Sequence, residues 1–155
     1  MPDQTLIFAP HANSYRRLRL GSYAPIFAAW GYENRTTAIR IPGGSPKARR
    51  IEHRVAGGDS NPYLVLSAIL SAALDGIERK LTPPNPIIGE AYGLELPPLA
   101  TSWIKALENF KSSSLIPNQL SPMLHNLFFE CKRQEIEVFA QQVTDFEYLS
   151  YLESM

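Results

Sequence analysis

Asn34-Arg35-Thr36-Thr37-Ala38-Ile39-Arg40-Ile41-Pro42, followed by Gly43-Gly44-Ser45-Pro46, Arg49-Arg50-Ile51-Glu52-His53-Arg54-Val55 and Asn61-Pro62-Tyr63-Leu64, is the stretch that organises the rest of the chain. The β-branched run from Asn34 to Pro42 stops at a proline and predicts a strand. Residues 43–46 predict a turn. The alternation from Arg49 to Val55 predicts a second strand, an antiparallel neighbour of the first. Asn61 is a good helix N-cap, and Pro62 at the first helical position loses no hydrogen bond. Residues 63–74 are almost all apolar or small, so a helix running to about Lys80 is expected to be buried on most sides. Pro83 and Pro84 forbid its continuation.

Outward from this stretch the patterns weaken. Pro2, Pro10, Gly21, Pro25 and Gly31 interrupt any period over residues 1–34, which read as loop with short extended pieces. Residues 82–100 form a proline-rich connector. Three shorter helices are expected at 101–111, 121–142 and 145–153. The second opens at Ser121-Pro122 with an apolar stripe of Leu124, Leu127, Phe128 and Cys131, and Cys131 is expected in the core. Thr144 with Glu147 forms a capping box for the third. The fold class is α+β: short antiparallel strands, then a buried helix, then three C-terminal helices.

The 155 residues carry fifteen basic and fifteen acidic side chains and no net charge, but the charges are segregated. Between Arg16 and Arg54 lie nine basic residues against Glu33 and Glu52, a net of +7, which leaves −7 for the remainder. So Arg-rich a segment faces an anion. Two residues apart on a strand, Arg50, Glu52 and Arg54 share a face, and Ile51, His53 and Val55 face the other way. Arginine forks hold carboxylate or phosphate oxygens, and a carboxylate between two cations stays ionised and can ligate Mg²⁺. The residues alone leave a solvated ion-pair ladder open as the alternative. Arg35 and Arg40, five apart, fall on opposite faces of an ideal strand.

Other chemistries are excluded by spacing. The Gly43–Lys47 run is no P-loop, and no Gly-x-Ser-x-Gly elbow exists. His11, His53 and His125 lack metal-ligand spacing, and His53 reads as a packed core histidine. One cysteine excludes a disulfide framework and fits a reducing, cytoplasmic compartment. No apolar run approaches the roughly 18 residues that span a bilayer, so no membrane partner is expected.

Asn13-Ser14-Tyr15-Arg16-Arg17-Leu18, residues 34–42, residues 49–54, Asn61-Pro62-Tyr63-Leu64 and Leu74-Asp75-Gly76-Ile77 together resemble, in order and near-spacing, the C-terminal part of the glutamine synthetase catalytic domain. The likeness is dense from Pro10 to Ile77. It implies an ATP-dependent ligase that phosphorylates the γ-carboxylate of L-glutamate and lets an amine or ammonia displace the phosphate. On this resemblance Arg17 and Arg54 bind glutamate. Arg35 and Arg50 contact the nucleotide phosphates and the transferring group, Arg40 lies near the same phosphates, and Glu52 ligates Mg²⁺ (or Mn²⁺). The arginines then serve one small site rather than nucleic acid, despite the nearby Tyr15, Tyr23, Trp30 and Tyr32.

One position departs from the pattern. Ammonium-using members carry a glutamate just before Ala-Pro in the mobile loop, where Gly21-Ser22-Tyr23-Ala24-Pro25 places Tyr23. Such a loop resembles the γ-glutamylputrescine synthetase-like branch, which uses organic amines; ordinary glutamine synthetase is the alternative. Tyr92 lies near a regulatory tyrosine of some bacterial members, but its surroundings match poorly. The resemblance further implies that residues 1–155 are a single partial domain, lacking the N-terminal β-grasp domain and the strands that supply most metal carboxylates. The chain alone is then expected to be inactive, either a fragment of a larger enzyme or a catalytically dead interaction or regulatory module. Exposed apolar surface and an open sheet edge favour a homo-oligomer, in stacked rings for the whole enzyme.

Overall fold

Residues 1–154 are described by a computed structural model. Its first element is one the sequence reading treats as loop. After a 3-10 turn at Pro2–Gln4, the single helical turn α1 (Thr5–Phe8) is wholly buried, and Pro10 follows it closely. Thr5 Oγ1 donates to the Pro2 carbonyl at 2.8 Å, and the Ala9 amide donates to the Thr5 carbonyl at 2.8 Å. With all sides apolar and so few residues, α1 offers no period to detect.

The sheet has three short strands: β1 (Trp30–Tyr32), β2 (Ile39–Ile41) and β3 (Glu52–His53). β2 and β3 are antiparallel, with Ile39 opposite His53 and Arg40 opposite Glu52, as expected. β1 falls among the short extended pieces expected over residues 1–34, and it runs parallel to β2. Both predicted strands are shorter than their sequence patterns. Residues 34–38 turn instead, because the Asn34 side chain accepts from the amide and hydroxyl of Thr36 while the Thr37 hydroxyl donates back to the Asn34 carbonyl. Such local bonds compete with a ladder. Ile51 is 71% exposed, so the apolar row expected on β3 reduces to His53 and Val55.

The proline-rich connector covers the β1 side of the sheet. The Ile87 amide donates to the Trp30 carbonyl at 2.8 Å, and the Ala28 and Leu99 amides bond to Pro97 and Ile26. That edge is therefore not the open one anticipated. Gly31 is required there: a Cβ would lie 2.7 Å from the Ile87 carbonyl oxygen.

Helix α2 (Pro62–Glu78) starts at Asn61, whose side chain accepts from the amides of Tyr63 and Leu64. Only Ala68 is buried; Leu64, Val65 and Ile69 pack on the core, and Tyr63, Leu66, Leu70, Leu74 and Ile77 face outward. The expectation of burial on most sides is corrected, because this chain supplies packing partners for one face only. Among the described residues four helices follow rather than three: α3 (Trp103–Ser112), α4 (Ile116–Leu120), α5 (Pro122–Ala140) and α6 (Asp145–Tyr151). On α5 the buried positions are Phe129 and Lys132; Leu127 and Cys131 are exposed, so Cys131 is not a core residue. Of the expected stripe Leu124 and Phe128 do pack on the core, Phe128 against Phe110, while the helix is rotated so that Phe129 and Lys132 take the buried places expected for Leu127 and Cys131. The core joins α1, Val55, Ala68, Ala106, Phe110, Ile116 and Phe129.

Candidate functional site

The sheet and the loops beside it gather the arginines. Arg40 on β2 and Glu52 on β3 are register partners, and Arg40 Nη1 donates to Glu52 Oε2 at 3.0 Å. The second Glu52 oxygen accepts from Arg54 Nη1 at 2.6 Å. Arg40 Nη2 reaches Glu33 Oε2 at 2.7 Å, and the other Glu33 oxygen accepts from the Gly43 amide. Charges thus alternate in sign along Glu33, Arg40, Glu52 and Arg54. The Gly43 amide first, and Arg40 second, hold the Glu33 carboxyl below its ordinary value. The Arg54 hydrogen bond lowers Glu52, outweighing the opposing desolvation. Both carboxylates remain ionised at neutral pH.

Arg54 also ties the surrounding loops together. Its Nη2 donates to the Tyr23 carbonyl at 2.9 Å and its Nε to the Arg35 carbonyl at 3.2 Å. Arg17 supports this hub from beneath, donating to the Arg54 carbonyl at 3.2 Å and to the Val55 carbonyl. Tyr23 is pinned in the left-handed region at φ 55°, a conformation a bulky residue adopts only when its surroundings enforce it. Its side chain is 68% exposed.

Next to Tyr23 opens a cleft of about 670 Å³, bounded by Tyr32, Glu33 and Arg35 on one side and the connector segment 86–90 on the other. Asn34 fastens the two walls: its Nδ2 donates to the carbonyls of Ile87 at 3.1 Å and Gly89 at 2.7 Å. Tyr92, half-buried, donates its hydroxyl to the Ala24 carbonyl at 2.9 Å, which steadies the Tyr23 turn from below.

The structure therefore joins Arg17, Arg35, Arg40, Glu52, Arg54 and Tyr23 through direct hydrogen bonds. Arg50 lies apart: it is exposed, and its Nη1 bonds only to the Ala48 carbonyl at 3.2 Å. The Arg50–Glu52–Arg54 row is replaced by Arg40–Glu52–Arg54, since the strand does not extend back to Arg50. The expectation that Arg35 and Arg40 flank one strand also lapses, because Arg35 sits in the turn. Glu33, Asn34 and the 86–90 wall were not singled out as site residues. Asn34 before Thr36-Thr37 was a readable turn signal, whereas the Glu33 pairing depends on tertiary approach.

A divalent cation takes about six oxygen ligands. Glu52 offers one carboxylate, both of whose oxygens are engaged by arginines, and no group of three or more potential metal ligands occurs among the described residues. The residues present do not make a complete metal site. They do fit an anion: the Arg35 guanidinium lines the cleft with no hydrogen-bond partner among the described residues. No helix among the described residues is long and apolar enough to cross a membrane.

A family profile described as "Glutamine synthetase, catalytic domain" matches residues 1–151. Gamma-glutamylethanolamide synthetase of Streptomyces coelicolor is 37% identical over 151 residues, covering 97% of this chain and 32% of that protein. Gamma-glutamylputrescine synthetase of Escherichia coli is 36% identical over 147 residues, covering 95% of this chain and 31% of that protein. Among solved structures, ligand-free GmaS superposes with a TM-score of 0.84 at 30% identity, over 98% of this chain and 35% of that one. The chain thus spans about a third of the length of these relatives.

Proposed function

The chain belongs to the glutamine synthetase catalytic-domain family, and from that premise we propose that it forms the C-terminal part of an ATP-dependent ligase joining an amine to the γ-carboxylate of L-glutamate. The reaction proceeds through γ-glutamyl phosphate, and the amine is an organic one such as putrescine in preference to ammonia. In chemical terms, a γ-carboxylate oxygen attacks the terminal phosphorus of ATP and ADP leaves. The amine nitrogen then attacks the acyl carbon, phosphate departs and a proton is released.

The observation that carries the choice of amine is Tyr23. It projects from a pinned turn at the mouth of the cleft, where the ammonium-using pattern has a carboxylate. A tyrosine brings aromatic surface and no charge, which suits an alkyl amine better than ammonium. The two relatives whose names specify ethanolamide and putrescine products support the same reading.

In this proposal Arg17 and Arg54 hold glutamate. Arg35 and Arg50 receive the nucleotide phosphates, with Arg40 beside them, because phosphoryl transfer needs charge neutralisation and alignment above all. Glu52 is the carboxylate assigned to Mg²⁺ or Mn²⁺, and it must exchange an arginine to bind it. Residues outside this chain complete the ion's shell, so no step is assigned to a metal. We further propose a cytoplasmic enzyme of nitrogen and polyamine metabolism, active as a homo-oligomer, with residues 1–155 a single partial domain that is inactive alone.

The test measures glutamate- and amine-dependent phosphate release from ATP by two proteins. One is this chain; the other is a chimera in which it replaces the matching third of the Escherichia coli putrescine ligase. No turnover is expected from the chain, and putrescine should exceed ammonium in the chimera. An ammonium preference overturns the organic-amine reading, and turnover by the chain alone overturns its dependence on other residues. Chimeric activity that survives Arg54→Ala or Arg17→Ala undiminished removes their assigned roles.

A further inference from the structure

We propose that the cleft between the Tyr23 turn and the 86–90 segment receives the distal, positively charged end of a diamine, with Glu90 as its counter-ion. The ligase reading supplies the reason for an amine to arrive there, but the binding itself requires no ligation.

The argument begins with which charges in the cleft are free. Its charged side chains are Glu33, Arg35 and Glu90. Glu33 is fully committed, one oxygen to Arg40 and the other to the Gly43 amide. The Arg35 guanidinium and the Glu90 carboxylate have no ion pair or hydrogen bond among the described residues, so the cleft keeps one free cation and one free anion. Arg35 suits the anionic reactant. Glu90 then remains for a cation, and an alkyl or hydroxyl tail would leave it unused.

The aromatic surface points the same way. Tyr32 is 64% exposed and held edge-on to Trp30 at 5.4 Å between ring centroids, and Tyr23 is fixed by its backbone. Two aromatic faces at an open cleft, one of them braced by Trp30, attract an ammonium group electrostatically and cover its methylene chain. About 670 Å³ lies within the usual size of small-molecule sites, so a four-carbon chain fits beside them.

Glu90 is exposed, yet its backbone is not free. On one side the Gly89 carbonyl accepts from Asn34 at 2.7 Å; on the other the Ala91 amide donates to Thr36 Oγ1 at 2.9 Å. The carboxylate is thus carried on a segment anchored at both neighbours, which lowers the ordering cost of using it.

The experiment is a titration of the isotope-labelled chain, without ATP or glutamate, with putrescine, butylamine and ethanolamine, followed by the amide shifts of residues 32–36 and 88–91. Putrescine should bind about fivefold more tightly than either monoamine, the effect of one further exposed ion pair. Glu90→Gln should bring putrescine to the level of butylamine, and Glu108→Gln, an exposed acid on α3, should change nothing. Equal affinities, a putrescine preference that survives Glu90→Gln, or no measurable putrescine binding overturns the inference. Because no turnover is involved, the two readings fail separately. A chimera that ligates putrescine with a cleft blind to the second charge leaves the ligase and removes this site; putrescine binding in an inactive chimera does the reverse.

Discussion

His53 shows how one side chain couples this fold to pH. Its ring lies 4.3 Å from that of Phe8, and both ring nitrogens are buried without partners. Burial first, and the positive amino terminus second, lower its pKa from 6.5 to about 4. The folded state therefore holds the neutral ring, while the unfolded chain takes up a proton near pH 6.5. Stability from this residue is complete above that pH and is lost as pH falls towards 4, by up to about 3 kcal/mol. Melting temperatures recorded across this window should fall for the native chain and fall less steeply for His53→Leu; parallel curves would contradict the assignment. The inward position of His53 was legible from a period of two, as was the pairing of Glu52 with Arg54. The substitution of Arg40 for Arg50 in the network was not, because it depends on cross-strand register and on where a very short strand stops.

Among the elements, those with caps and length were readable and those held only by neighbours were not. Asn61-Pro62, Ser121-Pro122 and the Thr144–Glu147 box all begin helices where expected, and the helix expected from 101 starts at Trp103. By contrast α1 is four residues long and β1 three, too short for any period, and each exists because other segments bury or pair it. β1 depends on Gly31 for the approach of the connector. Gly31→Ala should displace residues 86–90, costing about 1–3 kcal/mol as overpacking does. It should also weaken amine binding in the cleft whose wall those residues form. Denaturant melts together with the putrescine titration check this; a stable variant with an unaltered cleft would show that the connector is held by other contacts.

For the molecule as a whole, the outward row of Tyr63, Leu66, Leu70, Leu74 and Ile77 on α2 is the largest departure from expectation. The apolar run was legible, but not that only one face would find partners within this chain. Exposed rows of this kind drive association. Sedimentation should reveal concentration-dependent self-association that the triple change Leu66→Glu, Leu70→Glu, Leu74→Glu reduces, with stability held within roughly 0.5 kcal/mol as for other exposed positions. A native chain that remains monomeric would contradict this. The deep burial of α1 bears on something else, the order in which the protein can be made. Ser113 donates to Asp3 across 110 residues of sequence, and Gln4 to Gln119 across 115. Residues 4–9 leave the ribosome before any of the segments that enclose them. The centre of the molecule thus closes only after residue 120 has emerged, and until then Leu6, Ile7 and Phe8 wait as a greasy segment in the nascent chain, open to chaperones.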